Sequence, residues 1–146
     1  MMELEEQCIL LELQSTDKES LLEEMAGAVQ EKYPAMDKKT VRQVLMEREQ
    51  IGSTGVGNGV AIPHGKFYGL ERCLLCFGRS VRGIAFDAKD NKPVHFIIMI
   101  LSPVDMVEEY LQVLARVSRV MNNAKNRNLF LRARSKKVIQ QLFIDS

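Results

Sequence analysis

What the sequence lacks narrows its chemistry first. No window of the 146 residues approaches the roughly 18 uninterrupted apolar residues of a membrane span, so no stable membrane insertion is expected. Three cysteines (Cys8, Cys73, Cys76) are too few, and odd in number, for a disulfide-stapled domain, and a reducing compartment fits them. Twenty Lys/Arg against 19 Asp/Glu leave a formal net charge of +1, which gives no global field to hold nucleic acid or an anionic bilayer. The start, Met1-Met2-Glu3-Leu4-Glu5-Glu6, is acidic where a secretory signal would be positive. A cytoplasmic protein is therefore expected. No repeat or Pro/Gly/Ser-rich linker divides the chain, and residues 1–146 read as one domain. Only two histidines occur, and the cysteines stand at no zinc-ligand spacing with either, so no metal is expected.

What is present alternates between strand-like and helix-like segments. Residues 7–13 are short and mostly apolar, as a buried strand would be. Thr16 and Glu19 stand at capping-box spacing before a helix carrying Leu21, Leu22, Met25, Ala28 and Val29, which Tyr33-Pro34 closes. Asp37 is placed to cap a second helix with Val41, Val44, Leu45 and Glu49 at helical spacing. Two strands are predicted over residues 73–78 and 93–101, the second nearly continuous in apolar residues, with Pro93 in its first position. Ser102-Pro103-Val104-Asp105 is expected to start a long helix with Leu111, Leu114, Val117, Val120 and Met121 on its buried side. Shorter helices follow around 128–133 and 135–143. The pattern predicts an α/β domain with a central sheet flanked by helices.

Between the second helix and the first long strand lies the segment that carries chemistry. Gly52, Gly55, Gly57, Gly59 and Asn58 fall within eight residues, shortly before Pro63-His64-Gly65. Such a run permits unusual backbone angles and suggests a nest of N–H groups for an anion, with Gly57, Asn58 and Gly59 as its phosphate-binding centre. Pro63 fixes its own φ and holds Ile62 extended, so that His64 is presented at a defined angle. A general-base role would need a partner nucleophile, and neither Ser53 nor Thr54 sits in a nucleophile-elbow pattern. The nucleophilic role remains. A neutral imidazole can attack phosphorus, and free imidazole titrates near about 6.5. Phosphoryl transfer asks the protein mainly for positioning and for stabilisation of oxygen charge. Arg48 is the nearest upstream cation, and it also suits its helix C-terminus through the dipole. The spacing of a Walker A loop or a dinucleotide fingerprint is not met.

The stretch Arg48-Glu49-Gln50-Ile51-Gly52-Ser53-Thr54-Gly55-Val56-Gly57-Asn58-Gly59-Val60-Ala61-Ile62-Pro63-His64-Gly65-Lys66 closely resembles the active-site signature of the IIA proteins of the bacterial sugar phosphotransferase system. The resemblance is to the fructose/mannitol type, including its nitrogen-regulatory branch. It implies a mixed sheet flanked by helices. It further implies that His64 accepts a phosphoryl group from HPr, or a nitrogen-branch HPr-like carrier, with Arg48 beside it, and that no metal or nucleotide cofactor takes part. The group would pass to a IIB domain, or its presence would switch binding to a regulatory target. Many members carry a second histidine in the helix after the long strand. Here Tyr110 stands in its place, able to donate a hydrogen bond but not to carry positive charge.

Other residues carry plainer readings. His95, near a strand entry, is expected to be structural. Cys73 and Cys76, three apart on a strand, should face opposite sides and fill space. Arg127, Arg132, Arg134, Lys136 and Lys137 are expected to form a solvated helix face.

Overall fold

The computed structural model describes residues 4–145. A 3-10 turn, Glu6–Cys8, leads into strand β1, Ile9–Leu10. The strand expected over 7–13 is therefore two residues long. Leu13 N–H still bonds the Arg79 carbonyl (2.9 Å), so the chain follows its neighbour without forming a ladder. Helix α1 spans Lys18–Lys32. Its cap is Asp17, whose carboxylate accepts from Ser20 N–H at 2.8 Å, and not Thr16. Thr16 instead accepts from Ala85 N–H through its main-chain oxygen, and the Glu19 carboxylate turns outward to Arg42. Aspartate therefore takes the capping role that the box assigned to threonine one residue earlier.

Helix α2, Lys38–Ile51, begins at Asp37 as expected, with the carboxylate taking Thr40 N–H at 3.1 Å. A glycine hairpin follows, β2 (Gly55–Gly57) and β3 (Val60–Ala61), then β4 (His64–Phe67). The long strands are β5, Leu74–Ile84, and β6, Val94–Pro103. Pro93 thus lies just before its strand. Ser102 and Pro103 still belong to β6, because they pair with Lys66 and Phe67 of β4. The helix expected from residue 102 starts only at Val107. It is α3, Val107–Asn122, with no side-chain cap. α4 (Ala124–Arg132) and α5 (Lys136–Ile144) are capped by Asn123 and Ser135.

The strand order is β1-β5-β6-β3-β2, with β4 also paired to β6. β5/β6 and β2/β3 are antiparallel, whereas β1/β5, β3/β6 and β4/β6 are parallel, so the sheet is mixed as expected. Its central strand alternates between two cores. Ile97, Met99 and Leu101 join Leu21, Leu22, Met25, Val41 and Leu45 from α1 and α2. Phe96, Ile98 and Ile100 join Val113, Val117, Phe130, Ile139 and Phe143 from α3, α4 and α5. Leu111, expected on the buried side of α3, is 54% exposed, and Leu114 only packs against the edge of that core. Val113 is the buried residue of that turn.

Arg79 on β5 is buried and reaches across this second layer. Its guanidinium donates to the carbonyls of Leu11 (3.1 Å), Phe130 (3.0 Å), Leu131 (3.4 Å) and Ala133. Burial pulls its pKa below the usual arginine range, with Glu12 opposing. The guanidinium fastens the C-terminal end of α4, where carbonyls lack helical partners, to the sheet.

Cys76 faces the first core and Cys73 the second, on opposite sides as expected. The Cys76 thiol is pushed well up by its hydrogen bond with Cys8 and by burial. Of the tail cations, Arg132, Arg134, Lys136 and Lys137 are exposed. Arg127 is not a solvated residue: it is half-buried and donates to the Met121 carbonyl at the end of α3 (2.7 Å).

Candidate functional site

The end of α2 and the start of β4 meet at one point because Gly65 has no side chain. A Cβ there would stand 2.7 Å from Val44 Cγ1 and 3.3 Å from Phe67 Cε2. The helix therefore lies directly on bare strand backbone, and Arg48, one turn beyond Val44, comes level with His64. Gly65→Ala is expected to lower the unfolding free energy by about 1–3 kcal/mol, the usual cost of overpacking. Adding Val44→Ala should recover part of that loss. Urea denaturation of the two single variants and the double variant measures the coupling; strict additivity would show that the contact is not what sets the spacing.

The imidazole of His64 is half-buried and held at both nitrogens. Nδ1 lies 3.0 Å from the Ile62 carbonyl oxygen, which can only accept, so Nδ1 carries the proton. Nε2 is left with its lone pair, and Arg48 Nε–H donates to it at 3.3 Å. Arg48 Nη1 donates to the Gly52 carbonyl at 2.9 Å, which keeps the guanidinium from swinging out. The Ile62 carbonyl is free for this work because the parallel ladder breaks here. Ile62 N–H bonds Thr54 O (3.0 Å), and Pro63 O takes Ile100 N–H (2.9 Å). The ring faces a pocket of about 380 Å³ with Arg48, Lys66, Ser102 and Tyr110 on its walls. The Tyr110 ring sits 5.6 Å from the His64 ring, tilted by 37°. Burial raises its phenol pKa, Arg48 opposes this and Cys73 adds to it, so the hydroxyl stays protonated and able to donate.

The structure thus brings His64, Arg48 and Tyr110 together. It does not bring Gly57, Asn58 and Gly59 to them. Those three form the tip of the β2–β3 hairpin, all with positive φ (97°, 58° and 75°). Gly57 faces Asp90, and Gly59 packs beside His95. Since Val60 pairs with Phe96 and His64 with Ile100, the tip and the imidazole are at least about 13 Å apart along β6. The glycines serve the tight turn, and an acidic side chain stands where the expected anion nest would need none. His95 is structural, as expected, donating from Nδ1 to the Ser80 carbonyl at 2.8 Å. Among the described residues no group of three His, Cys, Asp or Glu side chains can hold a metal ion.

Sequence reasoning missed Lys66 and Ser102 as pocket residues, and it treated Glu49 only as one more helical position. Glu49 had a signal: a carboxylate four residues after Leu45 and eight after Val41 sits in a stripe that is otherwise apolar. Its side chain is 3% exposed.

A mixed sheet between two helical layers, with a histidine and an arginine sharing an edge pocket, is the arrangement of a phosphotransferase IIA protein. The chain belongs to the family described as the phosphoenolpyruvate-dependent sugar phosphotransferase system, EIIA 2, whose model matches residues 2–146. Among curated proteins it is 38% identical over 120 residues to a fructose-specific EIIA component of Haloferax volcanii, covering 82% of this chain and 74% of that one. Among solved structures it matches the nitrogen regulatory protein IIA-Ntr from Neisseria meningitidis with a TM-score of 0.88 at 30% identity, over 95% of this chain and 94% of that one. It shares its fold with Escherichia coli enzyme IIAMTL in that protein's complex with phosphorylated enzyme IIBMTL. There the TM-score is 0.81 at 15% identity, over the full length of both chains. Among the described residues no helix is long and apolar enough to cross a membrane.

Proposed function

We propose that this chain is a phosphoryl carrier that works as a phosphotransferase through a phosphohistidine at His64. The observation that carries the reading is the single Nε2 lone pair, fixed by the Nδ1–H bond to Ile62 O and aimed into a pocket where Arg48 and Lys66 outnumber the one carboxylate, Glu47. In the transfer, Nε2 forms a bond to phosphorus as the donor's phosphorus–nitrogen bond breaks. The electron pair of that bond leaves with the donor imidazole. The His64 ring becomes cationic while Nδ1 keeps its proton on the Ile62 carbonyl. Arg48 leaves Nε2 for the phosphoryl oxygens, and Tyr110 and Lys66 stand where further oxygens would lie. No metal or nucleotide cofactor is required for this exchange.

The donor would be HPr or its nitrogen-branch counterpart, and the acceptor a IIB domain, as for the neighbour seen with its IIB. Exposed apolar side chains near the site suit a protein partner: Ile51 (83% exposed), which lines the pocket, and Val107 and Leu111 on the turn of α3 that carries Tyr110. A second reading is a regulatory IIA protein whose partner binding is switched by the added charge. Tyr110 favours it, because a half-buried neutral phenol beside His64 adds no positive charge to hold the phosphoryl group. The 30% identity to a nitrogen regulatory protein points the same way.

Incubation with phosphoenolpyruvate, enzyme I and HPr is expected to give an acid-labile, alkali-stable phosphoprotein carrying one phosphoryl group, and His64→Ala none. Equal labelling of both proteins would remove both readings. Pull-downs with the phosphorylated and unphosphorylated forms then separate a carrier from a switch.

A further inference from the structure

We infer that Glu49 is a positioning residue for His64, acting through Thr54 and Ile62 to hold the carbonyl that fixes the imidazole tautomer. The inference rests on the phosphohistidine reading only for its kinetic part. Glu49 is almost fully enclosed, and each of its oxygens is engaged. Oε1 accepts from Thr54 N–H (3.1 Å) and lies 3.1 Å from Lys18 Nζ; Oε2 accepts from the Thr54 hydroxyl. Thr54, itself buried, accepts Ile62 N–H at its main-chain oxygen (3.0 Å), and Ile62 O receives the His64 Nδ1 proton (3.0 Å). An unbroken path of hydrogen bonds thus runs from the first turn of α1, through the last turn of α2, to the ring.

The carboxylate is not explained by stability. Glu49 lies in the last turn of α2, where the helix dipole disfavours negative charge. A buried ion pair is often matched or bettered by apolar side chains of similar volume. Lys18 is also held over the Phe86 ring at 4.7 Å, so the pair is desolvated on both sides. What a carboxylate supplies here, and an apolar residue cannot, is a rigid double acceptor that pins one residue, Thr54, by both its N–H and its hydroxyl. With Thr54 loosened, Ile62 O drifts, and the competing tautomer places the proton on Nε2. That form has no lone pair for phosphorus. In that form the Nε2 proton would meet the Arg48 donor, so the guanidinium has to move off the ring.

The test uses the ¹⁵N-labelled full chain with two-bond ¹H–¹⁵N spectra of the His64 ring, which distinguish the tautomers without any phosphoryl donor. Wild type should show the Nδ1–H form alone. Glu49→Gln should show a mixture, and its initial rate of phosphorylation from HPr should fall about tenfold, as small misplacements of reacting groups do, with the endpoint unchanged. Thr54→Val should behave like Glu49→Gln and keeps the test open if that variant does not fold; Thr54→Ser should restore wild-type behaviour. Leu45→Ala, which loosens α2 from its core side, should cost stability yet leave the tautomer as in wild type. A single Nδ1–H tautomer in Glu49→Gln and Thr54→Val would overturn the inference. A wild type that shows that tautomer but takes no label would overturn the function and leave the positioning intact.

Discussion

Arg48→Met is expected to slow phosphorylation of His64 by about 10²–10³-fold while the protein stays folded, because it removes a guanidinium that already donates to His64 Nε2. Stabilisation of charge on the transferring oxygens is usually the largest single contribution an active site makes. In this pocket the guanidinium is the group in contact, and the second cation, Lys66, is exposed and offers a point charge on a flexible stem. Arg48→Lys should recover only part of the rate. An ammonium cannot bond the Gly52 carbonyl and the site together in one plane, as the guanidinium does here. Rapid-quench measurement of label appearing on the chain reads both effects. Wild-type kinetics in Arg48→Met would reduce Arg48 to a helix-end cation.

The largest expected effect on stability lies far from the pocket. Arg79→Met should lower the unfolding free energy by about 3 kcal/mol, the scale of breaking a buried hydrogen-bonded charge. The variant leaves the carbonyls of Leu11, Phe130, Leu131 and Ala133 without the guanidinium, and an unsatisfied buried acceptor costs about 1–3 kcal/mol. Relief from burying the arginine, visible in its lowered pKa, offsets some of that cost. Loss should begin at the α4–α5 layer, so the urea midpoints read from amide NMR signals of α5 and of α1 should no longer coincide. An unchanged urea midpoint would mean that water replaces the guanidinium without penalty.

Much of this architecture was legible because it is local. The periodicity of Val41, Leu45 and their neighbours, the cap Asp37, and the apolar run 93–101 each act within a few residues, and each element formed within a residue or two of where its pattern put it. Errors arose where distant residues decide. Ser102 and Pro103 read as a helix start, but β4 claims them for the sheet, so α3 begins later. Arg79 drew no notice in the sequence, because its four acceptors lie 50 or more positions away.

The site divides in the same way. That Arg48 and His64 meet was legible from a distinctive context and from sixteen residues of separation spanned by a single helix end and hairpin. Gly57, Asn58 and Gly59 misled, because a glycine run has the same composition whether it wraps an anion or merely reverses the chain. The strand register that carries the turn away from His64 depends on β6, more than 30 residues downstream.

One half of the grip on the imidazole comes from a peptide oxygen, that of Ile62. Every amino acid supplies such an oxygen, so no codon change at position 62 can delete it, and apart from proline, which would lose the N–H bonded to Thr54, a mutational scan there will report how well each side chain fills the core. The Nδ1 proton of His64 is therefore anchored by an atom that genetic variation cannot remove, and variants that misplace it are expected at positions 49, 54 and 63 instead.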